Sequence, residues 1–189
     1  MNSAGAAPGG AAGSSSVAMM TFEPLAISHA AELFRLWSDP DTVRFTNWAH
    51  TPTPDACAER AEKVVAHYSK EPLHFGPYVI RMPDNRLVGM LGVDLTGSSQ
   101  GEYDVWHVLC REEWGKGIAT RAVGELMRRM RSSGRVGRAT AGVVAGNIAS
   151  VRVLERHGFA RSGVEPGGFQ RHGSKLDLFR YCCEFEGAG

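Results

Sequence analysis

The stretch Trp114-Gly115-Lys116-Gly117-Ile118-Ala119-Thr120 is where the periodicity of the chain changes. Before it, residues 102–110 are rich in aromatic and β-branched side chains and predict a strand. After it, Ile118, Ala119, Ala122, Val123, Leu126, Met127 and Met130 recur at helical spacing and predict an amphipathic helix that stops near Gly134. Strand, glycines and helix thus follow one another with no long linker. A helix N-terminus leaves N–H groups unpaired and carries partial positive charge, and glycines there let a pyrophosphate approach the backbone closely. The segment reads as a phosphate cradle, with a plain tight turn as the alternative. Its spacing satisfies neither GxxxxGK[ST] nor GxGxxG, so P-loop enzymes and Rossmann dehydrogenases do not fit.

Upstream, residues 20–25 alternate as a strand. Ser28 stands where an N-cap would open a helix carrying Ala31, Leu33, Phe34 and Trp37, which ends before Asp39-Pro40. Residues 45–54 read as a loop. Pro54 then opens a second helix through Ala56, Ala58, Ala61, Val64, Val65 and Tyr68. Residues 74–81 and 86–95 form a predicted hairpin around Pro83-Asp84-Asn85, where proline presets φ and the next residues tolerate the left-handed region. Downstream, residues 138–145 predict a strand, 148–157 a short helix stopped by Gly158, and 176–185 a last alternating strand. The order is βααββ, then βαβα, then β. Arg128, Arg129 and Arg131 crowd the last turn of the central helix; a solvated, dipole-favoured helix end accounts for them, with a nucleotide or partner contact as the other reading.

The chain has 189 residues, enough for one ordinary domain. Fourteen of the first eighteen are Ala, Gly or Ser and none is charged, so residues 1–18 are expected to be a disordered tail ahead of a single domain at 19–186. That tail lacks the basic start and apolar run of a secretory signal. The net charge of +1 argues against nucleic acid or an anionic membrane as main partner, since either demands a basic excess. No apolar run approaches the roughly 20 residues of a membrane-spanning helix. Cys57, Cys110, Cys182 and Cys183 make no disulfide framework, which suits a reducing cytoplasm, and the seven histidines show no metal-ligand spacing.

A second segment, Asn147-Ile148-Ala149-Ser150-Val151-Arg152-Val153-Leu154-Glu155-Arg156-His157-Gly158-Phe159, joins the first. In this order and at this separation the two resemble the acyl-CoA-binding core of the GNAT acetyltransferases, specifically the branch of ribosomal-protein N-terminal acetyltransferases. The resemblance spans residues 20–185. It implies an α/β fold with a mixed, largely antiparallel sheet of about six or seven strands flanked by about four helices. It also implies acetyl-CoA as acyl donor, with no metal.

In that family the loop begins with Gln or Arg and places small residues where Gly117 and Ala119 stand; Trp114 replaces the polar first residue, as is usual in the branch. The resemblance assigns the CoA pyrophosphate to the backbone of Gly115, Lys116, Gly117, Ile118, Ala119 and Thr120, with Thr120 free to add its hydroxyl. Lys116 is either a phosphate contact or solvent-facing. The pantetheine amides are assigned to the backbone of His107, Val108 and Leu109, where the strand splays from its neighbour.

Acetylating an amine takes a neutral nucleophile, a polarised thioester and a proton for the leaving thiolate. Many family members supply that proton from a tyrosine at the position of Leu154 here, so the acid is missing and Ser150 is the candidate the branch implies. Asn147 and Ser150 each have a bland alternative, a helix cap and a local backbone bond. The branch places an acidic residue at Asp104, the first candidate base, with Glu102, His107 and Glu165 behind it. Gly142 occupies the place of a glutamate base used elsewhere in the family. The loop holding Phe45, Asn47, Trp48 and His50 is expected to contact the acceptor, with Phe45 and Trp48 as pocket wall. The acceptor is a primary amine, with a protein or peptide N-terminus first and a small-molecule amine such as an antibiotic or polyamine as alternative. A non-catalytic acyl-CoA-binding module is the competing class.

Overall fold

The computed structural model describes residues 20–69, 75–96, 101–171 and 173–185. The expected tail at 1–18 and the predicted strand start at His74 lie outside the described residues. Strand β1 (Thr21–Pro24) leads into α1 (Ala30–Trp37), α2 (Pro40–Val43) and α3 (Pro54–Ser69). Ser28 is not the cap of α1. A 3-10 turn at Ile27–His29 extends the helix start, and the Ala26 N–H donates to Nδ1 of His29, 3.1 Å away, so a histidine ring does the local capping. The break at Asp39-Pro40 opens α2, because the Asp39 carboxylate accepts the Asp41 N–H at 2.9 Å and proline fits the first helical position.

Strands β2 (Tyr78–Arg81) and β3 (Leu87–Leu95) form the predicted hairpin, with Asn85 at φ +67°. Then come β4 (Glu102–Leu109), α4 (Ile118–Ser133), β5 (Arg138–Val144) and α5 (Ile148–Glu155). The chain closes with β6 (Ala160–Arg171) and β7 (Ser174–Glu184). Strand β6 was not predicted. Its residues are mostly exposed and include Gly163, Pro166, Gly167 and Gly168, so no alternation marks it; pairing with β7 along an edge holds it, through two register shifts.

The sheet has seven strands in the order β1-β2-β3-β4-β5-β7-β6. Neighbours run antiparallel except β4 and β5. Five helices cover it, one more than expected, the extra being the four-residue α2. One face packs Ile80, Leu91, Val93, Val105, Ala141 and Val143 against Ile118, Val123, Met127 and Met130 of α4 and Leu154 of α5. The other packs Val79, Met90, Val108 and Cys110 against Leu33, Leu36 and Trp37 of α1 and Cys57 and Ala61 of α3. The arginine cluster of α4 is a helix end: Arg128 and Arg129 pair with Glu125 at 2.7 and 2.9 Å, and Arg131 lies over the Phe185 ring.

Candidate active site

The site is built where β4 and β5 part. They pair through Glu102–Arg138, Tyr103–Ala139 and Asp104–Thr140, and then the pairing stops, while β4 continues to Leu109 and β5 to Val144. Cys110 N–H donates to the Val88 carbonyl, so by ladder alternation Val108, Trp106 and Asp104 also exchange bonds with β3. Val105, His107 and Leu109 therefore turn their backbone groups toward β5; the Val105 N–H completes the last rung with the Thr140 carbonyl, and the edge is open beyond it. Of the three residues expected there, His107 and Leu109 fit, although the Leu109 carbonyl already accepts from Trp114 Nε1 at 3.0 Å. Val108 points its backbone at β3 and its buried side chain at α1 and α3.

At the mouth of this gap stand Gly115 and Gly117, at φ +74° and +73°. These angles suit glycine, and a Cβ at either would meet nothing within 4 Å, so the space over the loop is open. Gly117 is the N-cap of α4; no side chain caps the helix and no acid sits in its first turn, which leaves the N–H groups of Ile118, Ala119 and Thr120 facing outward. The loop is braced from below. Buried Glu113 accepts from Arg86 Nη1 at 2.6 Å and Lys116 Nζ at 3.1 Å, so Lys116 is tied down at the rim.

Helix α5 starts on the far side of the gap. Asn147 Oδ1 accepts the Ser150 N–H at 3.2 Å and so caps the helix, while the half-buried Ser150 hydroxyl has no partner among the described residues. At the closed end, Asp104 accepts from Thr140 Oγ1 at 3.0 Å. Burial raises its carboxyl above the ordinary aspartate value, against the Thr140 bond and the charge of Arg180. Asp94 lies directly opposite on β3 and accepts from the Tyr68 hydroxyl. The other base candidates are engaged or withdrawn. Glu165 is gripped by both Nε and Nη2 of Arg180, Glu102 accepts from Thr96 Oγ1 at 3.1 Å, and burial pushes His107 down to about 4, on the α4 face. Arg180 lies over Gly142: a Cβ there would come within 3.2 Å of its Nη1.

Beside Asp94, a cavity of about 670 Å³ opens between the helices α1 and α3 and the strands β3 and β4. Trp48 stands in its wall as expected, edge-on to Trp37 at 6.4 Å and to Trp106 at 5.3 Å. Phe45 is not in that wall and lies beside Arg44. Asn47 is exposed, and His50 bonds the Ser38 carbonyl. The remaining wall, with Arg60, Tyr68, Asp94 and Trp106, went unread in the sequence, because cross-strand register and helix orientation decide it.

A profile of the acetyltransferase (GNAT) domain matches residues 20–160. The chain belongs to the GNAT acetyltransferase family. It is 24% identical over 163 residues to the uncharacterized N-acetyltransferase p20 of Bacillus licheniformis, covering 86% of this chain and 90% of that one. The ribosomal L7/L12 alpha-N-protein acetyltransferase RimL in complex with coenzyme A superposes with TM-score 0.78 at 17% identity, over 89% of this chain and 95% of the other. The spermidine N-acetyltransferase of Vibrio cholerae, in complex with CoA and spermine, gives TM-score 0.75 at 15% identity, over 89% and 97%.

This GNAT protein is thus an acetyl-CoA-dependent acetyltransferase, and its residues fit that donor. The uncapped N–H groups of α4 and the open glycine loop suit a pyrophosphate, and the unpaired edge of β4 suits the amides of a pantetheine arm. Among the described residues no group of three His, Cys, Asp or Glu is arranged to hold a metal, and no helix is long and apolar enough to cross a membrane.

Proposed function

We propose that this acetyltransferase moves the acetyl group of acetyl-CoA onto a primary amine held in the cavity between α1, α3, β3 and β4, by direct attack in a ternary complex. The parting of β4 and β5 just past Asp104–Thr140 supports the reading, because Asp104 stands at the closed end of the donor gap while its cross-strand neighbour Asp94 lines the cavity. Bound acetyl-CoA supplies an activated acyl thioester.

The chain's own residues do the rest. The backbone from Gly115 to Thr120 anchors phosphate, and His107 and Leu109 align the arm. A backbone N–H of the open β4 edge polarises the acyl carbonyl where negative charge develops. Asp104, perched above its ordinary pKa, takes the amine proton directly or through water. Ser150 delivers a proton to the departing thiolate, and Asn147 holds the turn that carries Ser150 in place. Arg180, paired with Glu165, keeps its charge near Asp104 and limits how far that carboxyl rises.

The first acceptor class is a peptide or protein N-terminus, in keeping with the ribosomal-protein acetyltransferase branch. A small-molecule amine is the second reading, favoured by a cavity of drug-ligand size. The four cysteines are free thiols, which suits a cytoplasmic setting. Thiol release from acetyl-CoA, followed with N-terminal peptides and a panel of small amines, tests the proposal. Release dependent on one of these amines is the expected result; calorimetric CoA binding with no amine-dependent release would reduce the protein to a binding module.

A further inference from the structure

The cavity wall contains a cation with no ion-pair partner among the described residues. Arg60, on α3, is half-buried with its guanidinium over the rings of Trp37 at 4.6 Å and Trp48 at 5.2 Å. One nitrogen, Nη1, is used, donating to the Ala49 carbonyl at 2.7 Å and to Thr51 Oγ1 at 3.0 Å. Nε and Nη2 donate to nothing among the described residues, and no carboxylate there lies within ion-pair distance. Burial and the nearby Arg171 lower Arg60 to about 10, the direction expected of a cation left uncompensated. Arg171, from β6, is itself bonded to the Val43 and Thr46 carbonyls rather than to an acid.

The other charged groups of the wall are already engaged. Lys63 lines the cavity further along α3 but pairs with Glu59 at 3.9 Å, and the cavity's one lining carboxylate, Asp94, accepts from the Tyr68 hydroxyl. Trp37, 1% exposed, has an indole Nε1–H with no acceptor. Unused donors on this wall thus outnumber unused acceptors. Buried donors and charges without partners are costly in a folded protein, and a planar guanidinium stacked on aromatic rings is the group best suited to grip a carboxylate or phosphate.

We propose that the acceptor is an amine that also carries an anionic group, a carboxylate or a phosphate, seated against Arg60 where it lies over Trp37 and Trp48, with the amine directed toward Asp94 and its cross-strand neighbour Asp104. This rests on the reading of the cavity as the acceptor site. The same wall disfavours polycationic amines, which would bring like charge to the uncompensated guanidinium of Arg60.

Binding without the donor tests it independently of catalysis. Trp37, Trp48 and Trp106 line the cavity and report occupancy through intrinsic fluorescence. Benzoate, phenyl phosphate, benzyl alcohol and benzylamine are titrated separately, the first two distinguishing carboxylate from phosphate. The expected result is saturable quenching by at least one anion with a Kd about tenfold or more below that of benzyl alcohol, and weakest binding by benzylamine. Arg60→Met, checked for an unchanged circular dichroism spectrum, brings the anion to the level of benzyl alcohol. Should that variant fail to fold, raising salt from about 0.05 to about 0.5 M on the native protein weakens anion binding and spares benzyl alcohol. Anions that bind no better than benzyl alcohol, benzylamine binding best, or anion binding retained in folded Arg60→Met overturns the proposal. An enzyme that acetylates amines yet shows no anion preference loses this inference alone, whereas anion binding without any thiol release sinks the acetylation reading.

Discussion

His157 Nε2 lies 2.7 Å from the carbonyl oxygen of Thr120, so the ring donates a hydrogen bond to the first turn of the cradle helix from the end of α5. This contact ties the two motifs together beside the packing of Leu154 against α4. It depends on Gly124, whose absent Cβ makes room for the ring: a methyl there would stand 2.8 Å from His157 Cε1. Alanine at position 124 gains about 1 kcal/mol of helix propensity but displaces the ring, and overpacking of this kind costs about 1–3 kcal/mol. Gly124→Ala is expected to lower the thermal midpoint, and His157→Ala added to it to restore part of the loss. A midpoint raised by Gly124→Ala alone would show that the ring does not hold this position.

Gly117 tests the cradle. Because open space surrounds it, a side chain meets no clash; the penalty is the left-handed backbone, about 1–2 kcal/mol for a non-glycine residue. Gly117→Val is expected to stay folded with a modestly lowered midpoint and to lose CoA affinity by tenfold or more, read by calorimetry. Unchanged affinity contradicts the cradle assignment.

Ser150 and Asn147 separate chemistry from capping. Removing the Asn147 cap costs about 1 kcal/mol of stability. The Ser150 hydroxyl has no partner to lose among the described residues, so Ser150→Ala should leave the thermal midpoint within error while kcat falls about 10²-fold at little change in KM. A full kcat in Ser150→Ala removes it as the acid.

For Asp104 the direction of the pKa shift sets the pH profile. Its carboxylate is the active form of a base, and burial delays ionisation, so kcat/KM should rise with pH along a limb above the ordinary aspartate range. Asp104→Asn is expected to abolish that limb together with most of the turnover. Persistence of the same limb in the variant assigns it to another group.

His107 predicts acid sensitivity of the fold itself. Its imidazole, pushed by burial to about 4, stays neutral in the native state, whereas the unfolded chain takes up that proton near the ordinary value of about 6.5. Stability is therefore intact above that value and lost as pH falls toward 4, by at most about 1.4 kcal/mol per pH unit. Glu32, Glu113 and Glu125, whose carboxyls are lowered by their arginine and lysine partners, lose their contributions in a lower window, below the ordinary glutamate range. Denaturant titrations across the upper of those two windows should thus show a slope that His107→Leu flattens.

Much of this was legible before any coordinates. The change of period at Gly117, the proline start at Pro54 and the turn at Pro83-Asp84-Asn85 are local events, governed by the few residues that make them, and each stands where predicted. Strand β6 was invisible because its stability comes from bonds to β7 and not from burial of its own side chains. Ser28 misled because a cap is a geometric role, and His29 took it. The cavity was the hardest part. Trp106 and Asp94 sit on neighbouring strands, Arg60 and Tyr68 on a helix laid across them, and no spacing along the chain encodes which of these meet. The backbone of Val108 faces away from the gap for the same reason, since ladder parity appears only once β3 and β4 are paired.

The parting of β4 and β5 leaves the β4 edge unpaired past Val105, and under the proposed function the acyl donor would fill that gap from solution. Occupancy then becomes a term in the folding equilibrium: at a donor concentration a hundred times its Kd the native state gains about 2.7 kcal/mol. Metabolic supply of acyl donor would tune the lifetime of the protein as well as its turnover, and amide exchange at His107 and Leu109 is where that coupling would be read first.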